Sequence, residues 1–175
     1  MSSISRELPS HLSVKNAVLV HIDVLNATQI IAKIDDLVGT VCFLDGYYSL
    51  CSKHITAHGG EVIKYIGDGC LAMFDEAEII EAIDAVCAIR SEFAEFCDSV
   101  AVTPTDVRVS VHTGEIIVGG FGPEGYKDIL GNTANILFSM RGRGITITEQ
   151  VYRKLPSDKR SPWKKQGGHV VYVMK

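Results

Sequence analysis

The chain has 175 residues, 46% hydrophobic and 22% charged, which suits one domain with a sizeable core and excludes a disordered polymer. Its formal net charge of −4 argues against a general nucleic-acid binder, which carries a basic face, and leaves room for a local basic pocket for a small anion. The five cysteines, Cys42, Cys51, Cys70, Cys87 and Cys97, form no CxxC pair, so neither a zinc site nor a disulfide framework is indicated and a reduced cytoplasm is the expected compartment.

Residues 1–15 are polar and serine-rich, and are expected to form a loose arm with no signal-peptide core. No run of about 18 apolar residues predicts a membrane span. "AVLVHIDVL" (17–25) reads as a buried strand of branched aliphatics. Residues 26–58 carry Ile30, Ile31, Ile34, Leu37, Val38 and Val41 at helical spacing, with Gly39 and Gly46 weakening the pattern, so a long helical region with one break is predicted. "EVIKYI", Gly67-Asp68-Gly69 and "CLAMF" then read as strand, turn and strand.

Residues 77–100 form an amphipathic helical pattern. "DVRVSVHTG" (106–114) and "EIIVGGFG" (115–122) read as a second strand pair, and 133–142 as a short helix ending at a glycine. Residues 144–156 read as a strand and a short helix, and 169–175 as a closing strand. The order β α ββ α ββ α β α β predicts an α+β fold, with helices on one face of a mostly antiparallel sheet.

Two carboxylates stand out. Asp23 lies within an apolar strand and Asp68 at a hairpin tip. A buried carboxylate is costly without a cation or a hydrogen-bond shell. Two of them on adjacent strands with one open side suit Mg²⁺ or Mn²⁺ shared with phosphate oxygens. The competing reading has Asp23 cap a helix and Asp68 make a turn.

"VLVHIDVLNAT", "HGGEVIKYIGDGCLAMF", "VRVSVHTGEIIVGGFG" and "KDILGNTANI" occur in the order and spacing of one family. Through them, over roughly residues 17 to 150, the chain resembles the class III adenylyl/guanylyl cyclase catalytic domain. The resemblance implies a ferredoxin-like βαββαβ core with added elements, and a catalytic domain over residues 16–175. It also implies a homodimer, head to tail, with active sites at the interface. The reaction implied is conversion of a nucleoside triphosphate to a 3′,5′-cyclic nucleotide and pyrophosphate.

Carried over residue by residue, the resemblance gives Asp23, Asp68 and the carbonyl of Val24 to two divalent cations, Mn²⁺ or Mg²⁺. Backbone amides around Asn26, Ala27 and Thr28 would take phosphate oxygens. Asn135, entering from the partner chain relative to Asp23, would orient the ribose. Lys64 would read the base opposite the partner's Asp128. One departure matters: four residues after the asparagine, where the family carries an arginine, this chain has Ser139. Arg141 and Arg143 are near, but two residues turn about 200° around a helix. Either one, with Arg141 the candidate, is expected to take the catalytic role only if the helix ends early and the chain doubles back at Gly142. Without a substitute cation the enzyme would be slow or the domain an inactive nucleotide-binding and dimerisation module.

The Lys64–Asp128 pair offers one donor and one acceptor. Adenine, uracil and cytosine all satisfy it, while guanine is least favoured because guanylyl cyclases resembling this chain carry glutamate at the lysine position. Tyr47 and Tyr48 run beside the site in the family, and a ring reaching in would favour a smaller base. A bare catalytic domain that departs from the family pattern also looks like the bacterial pyrimidine cyclases of antiphage defence. The expectation is therefore UTP to cyclic UMP, ahead of cyclic CMP, with the product read by a separate cyclic-nucleotide effector. Conversion of ATP to cyclic AMP is the alternative.

Overall fold

The computed structural model describes residues 7–34, 36–100, 102, 105–166 and 171–174. Its core runs β1 (Leu12–Val24), α1 (Ala27–Ile34), α2 (Leu37–Ala57), β2 (Glu61–Ile66), β3 (Gly69–Asp75), α3 (Ile79–Ser99) and β4 (Val107–Phe121). The added elements are β5 (Tyr126–Leu130), α4 (Asn132–Ser139), β6 (Ile145–Thr148), α5 (Glu149–Lys154), β7 (Trp163–Gln166) and β8 (Val171–Met174). Strands β2, β3, β1 and β4 lie side by side in that order, all antiparallel, which is the expected βαββαβ arrangement. Beyond β4 the sheet continues through β6, which is parallel to it, to β8 and β7, while β5 pairs with the other end of β4. No helix among the described residues is long and apolar enough to cross a membrane.

Side-chain alternation along β1 separates two cores. Val18, Val20, Ile22 and Val24 face α1, α2 and α3, joining Phe43, Tyr47, Ile55, Val86, Ile89 and Phe93. Ala17 and Leu19 face the other way, into a smaller cluster with Leu71, Met73, Ile116, Val118, Ala134 and Leu137. Each fully buried aliphatic side chain contributes about 1.5–3 kcal/mol relative to exposure. Helix α3 presents Ile79, Ala82, Ile83, Val86, Ile89 and Phe93 as one buried stripe at helical spacing. The break in the long helical region falls before α2, where the Asp36 carboxylate accepts from the Gly39 amide at 2.6 Å and caps the helix.

Several expectations change. Strand β1 starts at Leu12, inside the segment read as a loose arm, because β4 runs beside it from Leu12↔Gly119 to Val24↔Val107. Residues 1–6 of that arm lie outside the described residues. The pair of strands expected at 106–122 is one 15-residue strand. Gly114 marks a close approach rather than a turn: a Cβ there would lie 2.7 Å from Thr133 Oγ1 of α4. The true hairpin partner of β4 is β5, which the sequence reading lacks, as it lacks β7. Nor are all helices on one side, because α4, alone among the described helices, packs on the second face through Ala134 and Leu137. The closing strand is seen over Val171–Met174, with 169, 170 and 175 outside the described residues.

Candidate active site

On the second face of β1, the apolar series Ala17 and Leu19 gives way to His21 and Asp23. Register places Asp23 between Gly69 of β3 and Arg108 of β4. Its Oδ2 accepts from Arg108 Nη2 at 2.6 Å and Nε at 3.2 Å, and its Oδ1 lies 3.2 Å from His21 Nε2. The Asp23 side chain is 17% exposed, so it is reachable from one side only. Burial lowers the His21 pKa, opposed by the Asp23 charge, which leaves a neutral imidazole near neutral pH.

Gly67 and Asp68 form the two-residue turn between Ile66 and Gly69, and Gly67 takes φ 58°. Glycine at the first central position is what such a tight hairpin turn needs. The Val24 amide donates to the Asp68 carbonyl at 3.4 Å, which holds the turn against the end of β1. The side chain of Val24 goes into the helix-side core, so only its backbone is left for the site. The Tyr48 hydroxyl donates to the Gly67 carbonyl, and its ring stacks on Tyr65 at 4.0 Å. The buried Tyr47 hydroxyl donates to the Ile22 carbonyl at 2.9 Å. Tyr48 therefore braces the turn from the helix side. Lys64, next to Tyr65, points to the opposite face of β2. The expectation that a tyrosine ring reaches the base beside Lys64 is not met within this chain.

Among the described residues no three His, Cys, Asp or Glu side chains gather as a cation site. Asp23 and Asp68 offer two carboxylates, and a glycine keeps the space beside them open: a Cβ on Gly69 would lie 3.0 Å from His21 Nε2 and 3.1 Å from Asp23 Oδ1. Two carboxylates beside open space fit Mg²⁺ or Mn²⁺, which take their remaining ligands from phosphate and water.

Just past Asp23, Asn26 adopts the left-handed φ of 59°, which asparagine tolerates, and its carbonyl accepts from Gln29 and Ile30 to start α1. Asn26 and Thr28 are exposed and Ala27 is buried. First-turn amides have no acceptor within a helix and point toward an incoming anion.

A cavity of about 580 Å³ opens beside Leu25 and is lined by Arg108, Arg141, Arg143, Lys164 and Lys165. In a chain of net charge −4, five cationic side chains around one cavity make a local field for a polyanion. Sequence reading missed Arg108, Lys164 and Lys165. Arg108 did carry a signal, as a lone charge in an apolar strand, but its pairing with Asp23, 85 residues away, did not. A second cavity of about 620 Å³, on the helix side near Ile30 and Phe43, contains neither aspartate.

Lys64 and Asp128 meet within one chain, Nζ to Oδ2 at 2.6 Å, across β2 and β5. This replaces the expected pairing across two chains. A bulge between Val62 and Lys64 re-aims the lysine. The two side chains are 38% and 29% exposed, so the pair is worth under about 1 kcal/mol and is free to exchange for a ligand. Asn135 is exposed on α4, and Ser139, one turn on, is exposed on the same side with its hydroxyl donating to the Ile136 carbonyl at 2.7 Å. Helix α4 ends at Ser139, and Met140 is extended. The chain thus leaves the helix before Arg141, whose Nη1 donates to the carbonyls of Phe138 at 2.8 Å and Met140 at 3.2 Å. Among the described residues no hydrogen bond or ion pair joins Lys64, Asp128 or Asn135 to Asp23.

A family model described as the adenylate and guanylate cyclase catalytic domain matches residues 10–171. An adenylate cyclase of Anabaena cylindrica is 28% identical over 128 residues, which is 65% of this chain and 26% of that protein. The terminal-differentiation-specific adenylate cyclase of Dictyostelium discoideum is 28% identical over 149 residues, 71% of this chain and 7% of that protein. The chain thus spans about a quarter or less of the curated relatives it matches. The crystal structure of the adenylyl cyclase CyaB from P. aeruginosa superposes with a TM-score of 0.80 at 19% identity, covering 94% of this chain and 95% of that one. At that identity the likeness concerns the fold alone.

Proposed function

This chain belongs to the adenylate and guanylate cyclase catalytic domain family, and from that membership we propose that it converts ATP to 3′,5′-cyclic AMP and pyrophosphate as a head-to-tail homodimer. The observation that sets adenine ahead of guanine is the Lys64–Asp128 pair, poised at 2.6 Å and partly open to solvent, while the choice of adenine over the pyrimidines, which satisfy the same pair, rests on the relatives. The ammonium donates to adenine N1 and the carboxylate accepts from the N6 amino group. Both curated relatives described above are named adenylate cyclases. The pyrimidine expectation drew on the short, divergent domain and on a ring that could narrow the pocket; Tyr47 and Tyr48 are both engaged on the helix side instead.

Asp23, Asp68 and the Val24 carbonyl would hold two divalent cations, Mg²⁺ or Mn²⁺, whose chemistry is to acidify the ribose 3′-hydroxyl and polarise the α-phosphate. The first amides of α1 take phosphate oxygens, and Arg108, Lys164 and Lys165 neutralise the rest of the triphosphate. Asn135 of the partner subunit orients the ribose so that the 3′-oxygen lies in line with the α-phosphorus. The 3′-hydroxyl gives its proton to solvent as its oxygen attacks, the bond between the α-phosphorus and the oxygen bridging to the β-phosphate breaks, and pyrophosphate leaves with that electron pair.

The test is incubation of the purified protein with ATP, GTP, CTP or UTP and Mn²⁺, with products separated chromatographically. Cyclic AMP as the main product is expected. Cyclic UMP or cyclic CMP as the main product would overturn the adenine assignment and keep the cyclase. Bound nucleotide without any cyclic product, for all four bases, would identify an inactive nucleotide-binding module.

A further inference from the structure

We infer that Arg141 binds the leaving phosphates from the same protomer that supplies Asp23, and does not cross the dimer with Asn135. The inference rests on the cyclase reading above and adds to it which chain carries the cation.

The position that would act beside Asn135 is one helical turn on, at 139, on the same exposed side of α4. It holds a serine whose hydroxyl is turned back onto the Ile136 carbonyl. Charge is therefore missing from the side of α4 that carries Asn135. Helix α4 stops at that residue because Met140 leaves helical geometry, at φ −65° and ψ 134°, and buries itself in the second-face core. The chain is thereby led back toward its own sheet. Arg141 then caps the end of α4 through the Phe138 and Met140 carbonyls, a favourable place for a cation, and its guanidinium is fixed there.

Three contacts tie that guanidinium to Asp23 of the same chain. Phe138, whose carbonyl Arg141 bonds, packs edge-on against His21 with ring centroids 4.9 Å apart. His21 lies 3.2 Å from Asp23. Arg141 and Arg108 line one cavity, and Arg108 bonds Asp23 at 2.6 Å. A cation placed there faces the β- and γ-phosphates of a triphosphate anchored at Asp23, and stabilises pyrophosphate as its charge develops. The cation absent at Ser139 is thus supplied from the other side of the nucleotide.

Heterodimers decide the matter. Two differently tagged chains are co-expressed, the mixed dimer is isolated by two affinity steps, and cyclic product is measured with ATP and Mn²⁺. The Arg141→Ala homodimer is expected to lose about 10²–10³-fold in kcat, with partial recovery in Arg141→Lys. An Asp23→Ala/Asn135→Ala heterodimer keeps one complete site of two and should show roughly half of wild-type activity. That arm tests the dimer reading by itself. An Asn135→Ala/Arg141→Ala heterodimer should also reach roughly half, because the Asn135→Ala chain supplies Asp23 and Arg141 together. An Asp23→Ala/Arg141→Ala heterodimer should stay at the Arg141→Ala level. The reverse pattern in these last two arms would place Arg141 beside Asn135 and overturn the inference. Wild-type turnover in the Arg141→Ala homodimer would also overturn it. Silence in the Asp23→Ala/Asn135→Ala arm would sink the head-to-tail reading, and the inference with it.

Discussion

On the helix side of the sheet, β1 buries Val18, Val20, Ile22 and Val24 among three helices, with no charged side chain in the cluster. On the other side the same strand carries Ala17 and Leu19, then His21 and Asp23, beneath a single eight-residue helix. One strand therefore serves two environments at a period of two. The thickly covered face holds the fold together. The thinly covered face accommodates a carboxylate, a histidine and an arginine, because Asp23 pairs with both His21 and Arg108, and Arg108 opens onto a cavity.

Neighbouring substitutions on β1 test that division most severely. Asp23→Ala should remove cyclic product by at least about 10³-fold while thermal unfolding moves less than in Ile22→Ala, since the Arg108 guanidinium left behind is 33% exposed and can be solvated. Measured turnover near wild type would break the division at its most important residue. Ile22→Ala, one position away and fully buried, should lower unfolding free energy in urea by about 2–5 kcal/mol. Activity should persist below the shifted midpoint.

A smaller change sharpens the comparison at the turn. Gly69→Ala places a methyl 3.0 Å from His21 Nε2, 3.1 Å from Asp23 Oδ1 and 3.2 Å from the Ile66 carbonyl. The side chains can give, but the carbonyl cannot. Turnover should fall about 10-fold or more, with the loss in Mn²⁺ affinity measured by calorimetry exceeding any loss in thermal stability. Equal losses in both would mean that the glycine serves only the hairpin.

The smallest effect concerns pH. His112 is buried with Nδ1 2.9 Å from Thr148 Oγ1, and burial depresses its pKa. Above about pH 6.5 the imidazole is neutral in both folded and unfolded chains and contributes no slope. Below that the unfolded chain binds a proton that the fold refuses, so stability falls with falling pH. His21 is depressed in the same sense. The melting temperature should therefore decline from pH 7 toward pH 5.5, and His112→Gln should flatten the decline without removing it.

Much was legible from local pattern. The hairpin carrying Asp68, the buried part of β1 and the amphipathic α3 follow from alternation, a glycine turn and helical spacing. The continuity of β4 was not, because Gly114 looks like a turn residue until α4 is seen packed against it. Strands β5 and β7 were missed for a related reason: each is five residues or fewer, is interrupted by two adjacent charges, and is extended only through its neighbour.

By itself the sequence determined the helices, the hairpin, the buried part of β1 and the family, and singled out the two aspartates, because each depends on residues close together along the chain or on motifs in a set order. Only tertiary structure decided that Arg108 holds Asp23, that Lys64 and Asp128 pair within one chain, and that Arg141 and Arg108 line one cavity. Those pairings depend on strand register and on where α4 ends. Register joins residues 64 and 85 positions apart. No local period encodes such a distance, since it arises only when every strand between them has found its place in the sheet.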